Sequence, residues 1–442
     1  MKKLFKFWFV AMLALVLLAA CSPERDGNND PKENEQENNV EENQTNNSTN
    51  ETEEISADKP EKLVVWEDND KGVGLDDAIA SFEEEFGIEV EYIEMDMASE
   101  IRDQIRLDGP AGQGPDVVTL PHDQIGQVVI EGLIAPIDID QSIVDIYTES
   151  SILAQTYDGQ LYGLPKATET PVFIYNKDLM SEAPETFDEL FDFSKDFADG
   201  SEQYGFLALW DNFYFGNSVM AGYGGYVFAE EDGTLLAEEL GVNNEGAIEG
   251  GEYIQKWYQE IFPSGIIGES GGSAKDGLFQ DGDVASVMDG PWAFQTLTDI
   301  DMDYGVTPLP KLPNGEYPET FMGVKGWHLS GFSEHEEWAT KLIEWIANEE
   351  NSKIRFEKTN EIPPVKSLID DPIIADNEGA QAVAIQSQRA VPMPNIPEMS
   401  EVWEPMAQAL QLIATDKSDP KEALDEAHST ITTQIELNHS GD

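Results

Sequence analysis

The sequence predicts an α/β protein with two lobes, on three observations. Short apolar runs alternate with amphipathic stretches of helical period from residue 61 to 120, giving β-α-β-α-β. Similar alternation restarts at "PVFIYNKDL" (171–179). The chain has 442 residues, enough for two separate cores.

The elements follow in order. "EKLVVWED" (61–68) is apolar with β-branched residues, a buried strand. The next stretch places Leu75, Ile79 and Phe82 on one helical face and stops at Gly87. "IEVEYI" (88–93) alternates as a strand, a helix covers 99–107, and "GPDVVTL" (114–120) is the third strand. "PVFIYNKDL" is a strand followed by a helix over 186–198, and apolar spacing predicts helices at 245–260, 335–349, 377–389 and 400–414. Ligands of an open α/β sheet sit at the carboxyl ends of strands, so "EDNDKG" (67–72) and "LPHDQIG" (120–126) are the loops of interest. "VPMPNIPEMSEVW" (391–403) holds Pro392, Pro394 and Pro397 and cannot form one helix; it reads as stiff and extended. Ser400 is placed to cap the helix after it, with Trp403 in its first turn.

The first 21 residues, "MKKLFKFWFVAMLALVLLAAC", have a basic start and an apolar run, as in a secretory signal peptide. Leu18-Ala19-Ala20-Cys21 resembles a bacterial lipobox, which implies lipid attachment at Cys21, the only cysteine. Residues 22–58 carry 12 acidic and 2 basic residues and nine Asn, so they read as a disordered tether. As a flexible coil it would span about 30–35 Å. The formal charge is −63, of which −56 falls on residues 59–442. A charge of that sign excludes nucleic acid as a partner. It points to an alkaline or saline habitat.

Catalytic and metal signatures are missing. The five His are scattered, and there is no HExxH, Walker A, G-x-S-x-G or G-x-G-x-x-G. A calcium loop started at Asp68 would place Asp70 third but Gly72 fifth and Ile79 twelfth, without the bidentate Glu. No cofactor and no metal are expected. Loops instead carry aromatics (Trp66, Trp210, Phe213, Tyr214, Phe215, Trp292, Trp327, Trp403) interspersed with Asp70, Lys71, Asp123, Glu169 and Asp211. Flat rings suit the C–H face of a sugar, and charged planar groups suit its hydroxyl rim. The same aromatics also suit core packing, and Trp66 and Trp327 are read as core.

From about Lys62 to about Thr430 the chain resembles the maltose/maltodextrin-binding proteins of ABC importers. The resemblance rests on "KLVVWEDNDKGVGL", "GPDVVTLPHDQIGQ", "DGQLYGLPKATETPVFIYNKDLM", "LFQDGDVASVMDGPWAF" and "VPMPNIPEMSEVW", in that order. It implies a type II periplasmic-binding-protein-like fold, with lobes of 59–167 plus 327–372 and of 168–326 plus 373–442, hinged about a cleft. It also implies ligand contacts at Glu67, Asp70, Lys71, Asp123, Glu169, Asp211, Tyr214, Trp292, Met393 and Trp403. Leu120, Gln124 and Ala407 depart from the enteric pattern of Trp, Arg and Arg, so maltose, longer maltodextrins and cyclodextrins all stay open. The implied protein is not an enzyme. It is a monomer held by lipid on the extracytoplasmic face of the cell membrane, of Gram-positive type, delivering sugar to a membrane permease. Two alternatives fit the same residues: a binding protein for a different oligosaccharide, and an extracellular glycosidase using Glu169.

Overall fold

The computed structural model describes residues 58–198, 203–231 and 234–439. The leader with Cys21, and the tether up to residue 57, lie outside the described residues. Among the described residues no helix is long and apolar enough to cross a membrane.

Strand β1 (Lys62–Asp68) lies parallel to β2 (Glu89–Met95) and β3 (Val117–Pro121). Helices α1 (Asp76–Phe86) and α2 (Ile101–Asp108) follow the first two strands, and α1 ends at Gly87, whose φ of 63° suits glycine. Both faces of this sheet are covered, as parallel strands require. Leu63 and Val65 pack with Phe82 and Leu342 on one face. Trp66, Val118 and Leu120 pack with Ile101 and Ile105 on the other.

The chain leaves this layer on β4 (Gly163–Glu169) and enters a second sheet on β5 (Val172–Asn176). There β6 (Ser286–Asp289) and β7 (Tyr304–Thr307) flank β5, both antiparallel. It returns on β8 (Phe321–Ser330), antiparallel to β3 and β4, and β9 (Val391–Pro392) adds to β8 in parallel. The second core is aromatic: Phe187, Phe206, Trp210 and Trp257 meet edge to face, with Trp210 and Trp257 5.6 Å apart at 85°. Two hydrophobic clusters on the faces of the first sheet and a third in the second layer thus flank the crossover strands.

The helices of the second layer are α3 (Phe187–Ala198), α4 (Phe213–Gly222), α5 (Glu245–Glu260) and α6 (Gly268–Gln280). Later in the chain come α7 (Glu336–Ile346), α8 (Glu349–Thr359), α9 (Glu378–Ser387), α10 (Trp403–Ala414) and α11 (Pro420–Asn438). The helix expected over 335–349 forms as α7, and the unexpected α8 starts directly after it, capped by Asn348, which accepts from the Asn351 N–H at 2.8 Å. Periodicity did not single out α4, α6 or the 19-residue α11, whose Thr-rich middle lowers its helix propensity. The Ser400 cap is not formed. Residues Pro397–Glu401 make a 3-10 turn, in which the Ser400 hydroxyl donates to the Pro397 carbonyl at 2.7 Å.

Candidate functional site

A cavity of about 650 Å³ opens at the carboxyl ends of β1, β2 and β3 and is closed on its far side by the second layer. Strand alternation decides what β1 contributes. Trp66 and Asp68 share one face and Glu67 lies on the other, so Asp68 reaches the cavity and Glu67 is buried. The segment after β2 adds Asp96, Met97 and Ala98, and α2 adds Arg102. After β3 the 3-10 turn His122–Gln124 presents Asp123 and Gln124. The crossover strands add Glu169 and Lys325.

The opposite wall is aromatic. Asn212 caps α4 by accepting from the Tyr214 N–H at 2.9 Å, which fixes Tyr214 and Phe215 in the first turn, facing the cavity. Trp292 stands 6.1 Å from Tyr214 and 6.2 Å from Phe215. Trp403 stands edge-on to Phe213 and Phe321, both at 5.8 Å. Buried Phe321 also touches Tyr214 at 6.3 Å, so one ring network supports the whole wall. Met393 completes it.

The polar wall is electrostatically loaded. Burial pushes the Asp123 carboxyl up to about 6, against its own backbone N–H and the Arg102 guanidinium, which favour the ion. Burial also raises the Tyr214 phenol well above its usual value. The Tyr214 hydroxyl has no hydrogen-bond partner among the described residues. Unpaired and desolvated, it is a group that a ligand hydroxyl would satisfy.

Of the ten residues expected to contact ligand, the cavity brings together Asp123, Glu169, Tyr214, Trp292, Met393 and Trp403. The other four do not line it. Asp70 is exposed on the turn after β1, with φ at 60°. Lys71 is buried behind the wall. Glu67 is fully buried and pairs with Lys166 at 2.6 Å; burial pushes its carboxyl up to about 7, against the pull of Lys166. Asp211 lies inside the second core, accepting from the Tyr258 hydroxyl at 2.9 Å and the Gly268 N–H at 2.6 Å. Asn212, one residue on, takes the cavity position. Leu120 is a core residue, and Ala407 does not line the cavity.

Sequence reasoning missed Asp68, Asp96, Arg102 and Lys325 as cavity residues, and noted Phe215 only among the loop aromatics. For Lys325 a signal was present: a single Lys in the apolar run "FMGVKGWHLS" must be buried with a counter-charge. Arg102 brings a guanidinium to the cavity, where Gln124 is uncharged.

The family model for bacterial extracellular solute-binding protein matches residues 77–382. The galactooligosaccharide-binding protein of Bacillus subtilis (strain 168) is 49% identical over 390 residues, 87% of this chain and 92% of that one. The maltooligosaccharide ABC transporter solute-binding lipoprotein of Streptococcus pneumoniae (strain ATCC BAA-255 / R6) is 32% identical over 395 residues, 86% and 92% of the two chains. The crystal structure of a cyclo/maltodextrin-binding protein complexed with maltotetraose is 39% identical and superposes with a TM-score of 0.74, over 87% of this chain and all of that one. The cleft between two α/β layers and the family match agree, and the chain belongs to the bacterial extracellular solute-binding proteins.

Proposed function

We infer that this protein binds a neutral oligosaccharide between its lobes and delivers it to the permease of an ABC importer. The observation that carries the reading is the pairing of two unlike walls across one cavity. Aromatic platforms at Tyr214, Phe215, Trp292 and Trp403 face carboxylates at Asp68, Asp96, Asp123 and Glu169. A sugar ring presents an apolar face to the first wall and hydroxyl donors to the second. The lobes that close are taken as 59–167 plus 327–372 and 168–326 plus 373–442. Ligand favours closure because it touches both walls only when they approach. No bond is made or broken, and the protein acts as a monomer. Lipid on Cys21 holds it at the outer face of the cell membrane, a reading supported by the lipobox-like "LAAC" and by the lipoprotein relative.

The preferred sugar is an α-1,4-gluco-oligosaccharide of the maltodextrin type. A galacto-oligosaccharide is the second reading, favoured by the 49% identity to a galactooligosaccharide-binding protein. Calorimetry with maltotetraose, a cyclodextrin and a galactotetraose decides between them. Absence of heat with every sugar would sink the binding function itself, and reducing ends released in proportion to protein would restore the glycosidase. Cys21→Ala is expected to appear in the culture medium; retention on cells would contradict the lipid anchor.

A further inference from the structure

One side chain in the cavity belongs to none of the roles above. Lys325 sits in the middle of β8 and is 3% exposed. Its ammonium lies 3.0 Å from Glu169, 3.5 Å from Asp68 and 3.6 Å from Glu361. Three carboxylates from three separate segments converge on it, and two of them, Asp68 and Glu169, line the cavity.

The backbone explains how it got there. β8 pairs with β4 in a register that jumps: Lys325 faces Ala167, whereas Gly326 faces Pro165. Lys166 is therefore an extra residue on β4, a bulge. Pro165 has no N–H for the ladder, which suits a bulge. The Lys166 carbonyl freed from the ladder accepts from the Arg355 guanidinium at 2.8 Å. The bulge lets Lys166 and Lys325 reach one buried carboxylate, Glu361, at 3.2 Å and 3.6 Å. Lys166 is then committed to Glu67 inside the protein, and Lys325 to the two acids at the surface of the cavity.

We propose that Lys325 is a positioning residue for ligand binding, which holds Asp68 and Glu169 together in one orientation before the sugar arrives. Two like-charged carboxylates brought this close repel each other and turn toward water unless a cation lies between them. A buried ion cluster is a poor source of stability, which leaves orientation as the gain from keeping it. Asp68 is also held by the N–H groups of Asn69 and Met97, at 3.0 and 3.2 Å, both on its Oδ1. Its Oδ2 is the oxygen that Lys325 takes. Burial works against the Lys325 ammonium, but Glu169, Glu361 and Asp68 outweigh it and raise the group well above its usual value, so it stays charged.

The inference rests on the oligosaccharide reading, and the test separates the two. The full chain is titrated by calorimetry with maltotetraose and with a galactotetraose. If the wild type binds neither sugar, the oligosaccharide reading fails and the role of Lys325 falls with it. If the wild type binds, Lys325→Met is expected to weaken the sugar at least about tenfold. Affinity within about twofold of wild type overturns the proposal while leaving the function standing. A purely structural role is excluded by a mutant cycle. In an Asp68→Asn/Glu169→Gln background, adding Lys325→Met is expected to change affinity by less than about threefold. A further loss of about tenfold shows that Lys325 acts elsewhere, and overturns the proposal. Should Lys325→Met alone fail to fold, the triple variant removes the ammonium together with the two cavity carboxylate charges, and its comparison with Asp68→Asn/Glu169→Gln carries the decision.

Discussion

Asp123→Asn is expected to stabilise the empty protein and weaken its hold on sugar. Burial lifts the Asp123 carboxyl from an ordinary 3.8 to about 6. A carboxyl raised in the folded state contributes stability that is present below its unfolded value and lost as pH rises through about 6. At pH 7.5 the ionised group therefore costs the empty fold up to about 3 kcal/mol. Asn keeps the shape and removes the charge. The variant should unfold about 1–3 kcal/mol later than wild type at pH 7.5 in guanidinium, with the gap closing toward pH 4. Sugar binding should move the other way. A charged acceptor of hydroxyls is worth about 1.5–3 kcal/mol, so the variant should bind roughly ten- to a hundredfold more weakly. Wild-type affinity should itself fall about tenfold between pH 7 and pH 5, as the carboxyl protonates, and the Asn variant should be flat over that range. Calorimetry at the two pH values reads this directly. A variant less stable than wild type at pH 7.5, or wild-type affinity unchanged down to pH 5, would refute the reasoning.

Four further outcomes are expected. Trp292→Ala and Trp403→Ala should each weaken sugar binding by at least about 1 kcal/mol through lost stacking, and unchanged titrations for both would break the assignment of the aromatic wall. Phe321→Leu keeps apolar bulk but removes the ring that touches Phe213, Tyr214 and Trp403; about 2 kcal/mol of stability should be lost and affinity should fall, whereas a lower Tm with intact affinity would show that the wall holds itself. Glu67→Gln removes a carboxyl that burial raises to about 7, so the variant should gain on wild type as pH rises from 5 to 8; a stability difference constant over that range would contradict it. His122→Phe leaves the buried Val324 N–H and Met393 carbonyl unpartnered and should cost about 2–5 kcal/mol in denaturant; a loss below about 1 kcal/mol would show that neither bond matters.

The order of strands and helices in the first layer was legible because its strands are apolar runs with turn residues between them, and α1 and α2 begin and end within a few residues of expectation. The aromatic wall was legible through motifs: Tyr214, Trp292 and Trp403 each sit in a distinctive local string. The polar wall was not, for two physical reasons. At the end of β1 four of the five residues from Glu67 to Lys71 are charged, and only the phase of the strand decides which one faces the cavity. Counting from Trp66 by two gives Asp68, so that part was readable but unread. Lys325 is different in kind, because its three carboxylate partners lie up to 257 residues away in sequence. No local pattern brings them together; the crossover does. Asp211 was misplaced for a related reason. In "WDNFYF" the helix cap falls on Asn212, and a one-residue offset turns a cavity group into a core group.

The proline-rich stretch before Trp403 shows how a breaker sequence is used for precision. β9 pairs with β8 in parallel, so only alternate residues of the stretch donate to it. Those donors are Val391, to Thr320 at 2.9 Å, and Met393, to Met322 at 3.3 Å. Pro392 alternates with these donors and Pro394 follows them, at positions where the strand needs no N–H, and Pro397 opens the 3-10 turn, where an N–H is an orphan anyway. Every proline thus removes a freedom without removing a bond. The Met393 carbonyl is then tied to the first layer by the Nε2–H of His122 at 3.0 Å, while the Nδ1 of that ring accepts from the Val324 N–H at 3.1 Å. Both ring nitrogens are used, and burial holds the imidazole down to about 4, so it is neutral and in one tautomer at physiological pH. A neutral ring adjoining Asp123 links the acid wall to the segment after β9 that carries Met393 and leads to Trp403. The segment leading to Trp403 is therefore held by fixed hydrogen bonds before ligand arrives, and the ordering cost of the aromatic platform is met in folding rather than in binding.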